Sequence, residues 1–213
     1  MSFNTFRRYY LDRSLEGARR HLQGKVLDIG GVKINRRGRF QISAEDQVNW
    51  TFINNNPASG ATVIASVPPL PFPDESYRSV LITEVLEYIE NVPALMHEVH
   101  RVLEPSGTVV MSVPFVHPLH GDAEYDCWRF TETGIKKAVA PYFEITEFQI
   151  LGGFWAVTAD LVLNLAKQRP TLLNRFLIKV INLLHPLILF LDKPLRSVNT
   201  GFFLVMTKKT ALP

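Results

Sequence analysis

Lys25-Val26-Leu27-Asp28-Ile29-Gly30-Gly31 is the stretch that decides how this chain folds. An unbroken Val/Leu/Ile run reads as a parallel strand covered on both faces. Two glycines directly after it let the backbone turn sharply and let a ligand come close to the main chain. In open α/β sheets, ligands bind outside the carboxyl ends of the strands. Asp28, Gly30 and Gly31 therefore stand where the mouth of a nucleotide-type pocket would be. A tight turn with no ligand gives the same short pattern, so the rest of the chain has to decide.

Working outward, residues 5–23 place Phe6, Tyr9, Tyr10, Leu15, Ala18 and Leu22 among arginines, which predicts one or two amphipathic helices closing at Gly24. Further strands are expected at 49–54, 61–65, 78–83, 108–113, 143–151 and 201–207. Between them, Pro68-Pro69-Leu70-Pro71-Phe72-Pro73-Asp74 is too rich in proline for regular structure. A helix is expected over 92–103, with Asn91 as its cap, Pro93 in its first turn, and Leu95, Met96, Val99, Val102 and Leu103 on one face. Glu104-Pro105-Ser106-Gly107 should then turn the chain, and a short helix is expected over 133–139. Strands alternating with helices predict a mostly parallel sheet with right-handed crossovers.

The 213 residues suit one α/β domain. A formal net charge of +3 does not call for a nucleic-acid partner. Arg7, Arg8, Arg13, Arg19 and Arg20 near the start, and Arg36, Arg37 and Arg39 after the glycines, read as a solvated face and loop, or else as an anion contact. One cysteine, Cys127, excludes an intrachain disulfide and fits a reducing, cytoplasmic setting. The first residues lack the apolar core of a signal peptide. No apolar run is read as reaching the roughly eighteen residues of a membrane span.

At this point the motifs resemble a known family. Val26-Leu27-Asp28-Ile29-Gly30-Gly31 is similar to motif I of the class I S-adenosylmethionine-dependent methyltransferases. Leu70-Pro71-Phe72-Pro73-Asp74, Thr83-Glu84-Val85-Leu86-Glu87-Tyr88 and Glu98-Val99-x-Arg101-Val102-Leu103-x-Pro105-x-Gly107 resemble, in order, elements of its type 11 branch. The segment from Pro118 to Thr131 is similar to a subgroup linked to surface-polysaccharide and sugar modification. The resemblance spans about 24–151, and 201–209 is similar to the family's last strand. It implies a Rossmann-like, doubly wound, mostly parallel seven-stranded sheet whose last strand is antiparallel, with an apolar helical insertion before that strand. On this reading 1–213 is one domain: a helical segment 1–23, the core 24–151, the insertion 155–192 and the last strand 201–209.

The resemblance also implies S-adenosylmethionine as cofactor, with Asp28, Gly30, Gly31, Asn54, Ser66, Val67, Thr83 and Glu84 lining its site. Three positions depart from the pattern. Gly31 follows Gly30 directly, with no further glycine until Gly38; Asn54 stands where the family keeps an acid for the ribose; and Ser66 replaces an acid that often meets adenine. A carboxylate accepts two hydroxyl hydrogens, whereas an amide offers one acceptor oxygen and a donor. The family's acceptor pocket corresponds to Glu84–Tyr88 and Phe115–Arg129. There His120 or Asp126 would act as base or hydroxyl-orienting group, and Arg129 would anchor an anionic small-molecule or saccharide acceptor. The alternative for Asp126 and Arg129 is a pair that braces the loop. His117, His120, Asp122 and Cys127 match no metal spacing, so no metal is expected. Asn56-Pro57 follows the second strand rather than the fourth, which also argues against a nucleic-acid methylase.

Residues 155–192 are strongly apolar and fringed by Lys167, Arg169, Arg175, Lys179, Lys193 and Arg196. They fit a helical hairpin that lids the pocket or packs on the domain, a homodimer interface, or a peripheral membrane contact, which would suit a lipid-borne acceptor. Two functions stay open: a methyltransferase on a small-molecule or sugar-containing acceptor, and a non-catalytic descendant that keeps the fold as a binding or scaffold module.

Overall fold

A computed structural model describes residues 5–33, 38–43, 45–119, 124–169 and 171–211. Its strands are β1 (Val26–Ile29), β2 (Trp50–Asn54), β3 (Val63–Ile64), β4 (Tyr77–Thr83), β5 (Leu103–Pro114), β6 (Phe143–Leu151) and β7 (Gly201–Lys208). They form one seven-stranded sheet in the order β3-β2-β1-β4-β5-β7-β6. β7 runs antiparallel to both β5 and β6, and the other pairs are parallel. This is the expected α/β architecture.

Alternation along the strands divides the core. Val80, Ile82, Val109, Met111, Leu204 and Met206 face one way, onto α2 (Val92–Val102) and α3 (Glu132–Val139). Leu81, Val110, Phe203 and Val205 face the other way, onto Leu11, Leu15 and Ala18 of α1 (Phe6–Ala18) and onto Phe40. α2 forms where its cap and stripe predict it. Asn91 accepts from the Ala94 N–H at 3.0 Å, Pro93 sits in the first turn, and Leu95, Met96, Val99 and Val102 are fully buried.

Two expectations change. Glu104-Pro105-Ser106-Gly107 does not simply turn the chain, because β5 begins at Leu103 and runs through these residues, with a register shift opposite Tyr77/Ser79 and Ser106 at φ 59. β3 is only Val63–Ile64, at the sheet edge, where Ile64 is exposed.

The Leu-Pro-Phe-Pro-Asp element and the Glu98–Arg101 pair explain one another. Arg101 donates to the carbonyls of Phe72 (2.8 Å) and Leu70 (3.0 Å), to Asp74 (2.7 Å) and to Glu98 (2.8 Å). Glu98 accepts in turn from the Leu70 N–H at 2.9 Å. A proline-rich segment has few donors of its own, so α2 supplies the bonds that fix it. The Arg101 guanidinium holds the Glu98 carboxyl down at about 2.

The apolar insertion is a helical hairpin, α4 (Phe154–Gln168) and α5 (Leu172–Leu191). Ala156, Ala159 and Leu163 of α4 and Ile181 of α5 pack with Phe6 of α1. The earlier reading that no run is long enough to span a bilayer is corrected here. The 20 residues of α5 have a mean hydropathy of 1.5 over their most apolar window and meet the length and composition of a span. The uninterrupted apolar runs of α5 are shorter than a span, but a span tolerates the two charges, Arg175 and Lys179, that interrupt them.

Candidate functional site

The order of the strands reverses between β1 and β4, because the chain leaves β1 toward β2 and returns past it to β4. Such a switch point opens a crevice at the carboxyl ends of the two strands. Ile29 pairs with Ile82, so Gly30–Gly31 and Thr83–Glu84 leave the sheet side by side.

Both glycines are required there. Gly30 has φ +76, and a Cβ on it would lie 2.4 Å from Cγ2 of Val85. A Cβ on Gly31 would lie 2.3–2.6 Å from the carboxylate atoms of Asp28, which is fully buried. The loop thus runs directly over the Asp28 carboxylate. Gly30 itself is exposed and carries no side chain, while its N–H donates to the Ile53 carbonyl at 2.8 Å.

Asn54, at the end of β2, is turned toward this loop. Its amide nitrogen donates to the carbonyls of Gly30 (2.8 Å) and Gly31 (3.1 Å), and its amide oxygen accepts from the Asn56 N–H at 2.9 Å. An acid at this position could not donate to two carbonyls. Asn54, where the resemblance predicts an acid, therefore has a structural use, tying down the short glycine turn. Ser66 is exposed and Val67 half-buried, both on the chain leaving β3.

A second cluster lies behind the crevice. Glu84 has φ 57, an uncommon left-handed conformation for a residue with a side chain, costing about 1 kcal/mol or more. Its carboxylate accepts from the Ser112 hydroxyl at 2.7 Å and from Nε of Arg7 at 2.6 Å. Arg7, only 4% exposed, also donates to the Thr200 carbonyl. Its helix is held by Asp160 of α4, which accepts from the N–H groups of Phe6 and Arg7 at 2.8 Å each.

Glu87, in the short helical turn Leu86–Tyr88 after β4, is fully buried. Burial, and then the charge of Glu84, push its carboxyl up to about 8. Segment 124–130 docks on the backbone of this turn. The N–H of Cys127 and the indole of Trp128 donate to the carbonyls of Glu87 (2.8 Å) and Ile89 (2.9 Å). Three carboxylates (Glu84, Glu87, Asp126) thus share a region with two guanidiniums (Arg7, Arg129), so ionising Glu87 leaves one negative charge in excess. Burial is the main reason a proton stays on it near neutral pH, and that imbalance adds to it.

The structure therefore brings Asp28, Gly30, Gly31, Asn54, Thr83 and Glu84 together at the carboxyl ends of β1, β2 and β4. Asp126 and Arg129 meet each other instead of an open pocket. They form a two-pronged ion pair, with the Asp126 side chain 0% exposed and Arg129 also donating to the Trp128 carbonyl at 2.8 Å. This pairing is the bracing alternative that the sequence left open beside the base and anchor roles. His120 and Asp122 lie outside the described residues. Arg7 and Glu87 are the residues that sequence reasoning missed. Arg7 read as part of a solvated basic face, and its partner is 77 positions away.

Comparison with known proteins adds a family match. Residues 43–111 match the model of a methyltransferase domain. The match covers about a third of the chain and begins beyond the glycine turn. No curated protein matches the sequence.

Several solved structures share the fold. One is a putative sarcosine dimethylglycine methyltransferase from Galdieria sulphuraria, 12% identical, covering 93% of this chain and 85% of that one at a TM-score of 0.59. Another is geranyl diphosphate C-methyltransferase from Streptomyces coelicolor A3(2), crystallised with Mg2+, geranyl diphosphate and S-adenosyl-L-homocysteine; it is 13% identical, with 92% and 77% covered and a TM-score of 0.58. A third, the cyclase SpnF, is 15% identical, with 94% and 81% covered and a TM-score of 0.53. At these identities the likeness establishes the fold.

Proposed function

We propose that the protein is an S-adenosylmethionine-dependent methyltransferase acting on a small-molecule or sugar-containing acceptor. The observation that carries this reading is the exposed Gly30 at the β1/β4 switch point, in a fold shared with methyltransferase structures. The residues present fit the cofactor there. Gly30–Gly31 offer side-chain-free backbone, Thr83 and Glu84 form the facing wall, and Ser66 and Val67 follow β3 at the rim. Bound cofactor would supply an electrophilic methyl group on a sulfonium. The leaving group of such a displacement is neutral, so positioning provides most of the rate.

A hydroxyl acceptor also needs a proton acceptor. We assign that role to His120. Asp126 and Arg129, later in the same stretch of sequence, pair with each other. A crystal of the protein soaked with S-adenosylhomocysteine tests the reading. The adenosyl group is expected over Asp28–Gly31, and density elsewhere or none would count against it.

One observation favours a second reading. Both donors of Asn54 are engaged by the glycine turn, and the family match starts only at residue 43. On that reading the fold persists as a binding or scaffold module, as befits an architecture that also hosts the cyclase SpnF.

A further inference from the structure

The α4–α5 hairpin carries a surface that the methyltransferase reading does not use. Leu173, Phe176, Val180, Leu183, Leu187 and Phe190 recur at intervals of three and four, which puts them on one side of α5. Apart from half-buried Val180 they are 51–82% exposed. The opposite side is the one that packs inward, through Ile181, Leu177 and Ile188, and His185 stacks on Phe6 with ring centroids 4.5 Å apart. The exposed side is therefore not a core face awaiting its own domain. At the start of α4, Phe154 and Trp155 are also about half exposed. Monomeric proteins in water rarely leave an apolar stripe of this length open.

The charges around the stripe decide what covers it. Lys167, Arg169, Arg175, Lys179, Lys193 and Arg196 are all exposed. No acid occurs between residues 161 and 191, and the two that flank this range, Asp160 and Asp192, are buried. Asp160 holds the start of α1, and Asp192 accepts from the Gly153 N–H at 2.8 Å and the Tyr10 hydroxyl at 2.8 Å. A second copy of the chain would bring the same six cations to the contact, and this hairpin has no exposed carboxylate to meet them. An anionic lipid surface meets both features at once, taking the apolar side chains into its acyl boundary and the cations at its headgroups.

We propose that the α4–α5 hairpin docks the protein on the surface of an anionic bilayer, with α5 lying in the interface. α5 is long enough to cross a bilayer. Its inner side, however, is fastened along α4 and onto Phe6 of α1, which places it flat against the domain.

Vesicle flotation of the full chain tests this independently of any methyl transfer. The wild type should float with vesicles of equal parts phosphatidylcholine and phosphatidylglycerol, and several-fold less with phosphatidylcholine alone. Leu183→Glu/Phe190→Glu should lower the floated fraction roughly tenfold or more, with circular dichroism unchanged. Arg175→Glu/Lys179→Glu, which leaves the apolar stripe intact, should abolish the preference for phosphatidylglycerol. Absence of binding to both vesicle types would overturn the proposal, and so would a wild-type dimer that Leu183→Glu/Phe190→Glu dissociates while vesicles capture nothing. Binding that survives an alkaline carbonate wash would replace surface docking with insertion.

Discussion

Arg7→Met removes a buried guanidinium while keeping much of its length and apolar contact. In the folded protein Arg7 is 4% exposed and neutralises Glu84, whose side chain is 18% exposed. Without it, Glu84 keeps the Ser112 hydroxyl at 2.7 Å but stands beside the carboxyl of Glu87 with no guanidinium against it. The Thr200 carbonyl loses a charged donor as well. Removing one partner of a buried ion pair costs roughly 3–5 kcal/mol, because the remaining charge stays buried without compensation. For a chain of this size that is a fall in Tm of roughly 6–20 °C. Urea unfolding followed by far-UV circular dichroism should show a lower midpoint with an unchanged slope. Adding Glu84→Gln to the Arg7→Met background should recover a large part of the loss, since a neutral amide no longer needs the guanidinium. A loss below about 1 kcal/mol is what an exposed surface pair gives, and it would refute the claim that Arg7 and Glu84 act as a buried pair.

Three further outcomes follow from the same contacts. With its carboxyl raised to about 8 from an ordinary 4.5, the folded protein holds a proton on Glu87 that the unfolded chain releases. Stability should therefore fall as pH rises from about 5 to 8, by roughly a few kcal/mol. Glu87→Gln should flatten that slope in urea titrations, and an unaltered slope would contradict the assignment. Arg101→Ala should cost about 2–3 kcal/mol by releasing the carbonyls of Leu70 and Phe72. It should also remove the acid-side loss expected in the wild type as pH falls from about 4.5 toward 2, the window over which Glu98 gains its proton. Asn54→Asp exchanges two donations for an acceptor facing two carbonyls, and should destabilise by about 1–3 kcal/mol. A stabilised Asn54→Asp protein would show that the turn does not depend on the amide.

Much of this architecture is legible in the sequence because local signals and the final fold agree. Val26–Ile29 and Val80–Ile82 are buried on both faces and show as apolar runs. Asn91, Pro93 and a helical stripe mark α2 without ambiguity. Legibility fails where the deciding partner is distant. Nothing near Arg7 announces that its guanidinium will be buried against Glu84. Likewise, Glu87 reads as one more acid of a family motif until Asp126 and Glu84 are brought beside it. Pairing between Asp126 and Arg129, three positions apart, is legible in the sequence as one of two alternatives, and the structure shows the two side chains paired. The apolar character of α4 and α5 is plain from composition. Which of their faces is covered depends on Phe6, about 150 residues earlier in the chain.

Isothermal titration of the full chain with S-adenosylmethionine tests the central claim most directly. A one-to-one isotherm in the micromolar range, lost in Gly31→Ala as the added methyl displaces the Asp28 carboxylate, is the result this account predicts. No heat at millimolar ligand from the folded wild type would contradict it, and would leave the scaffold reading in its place.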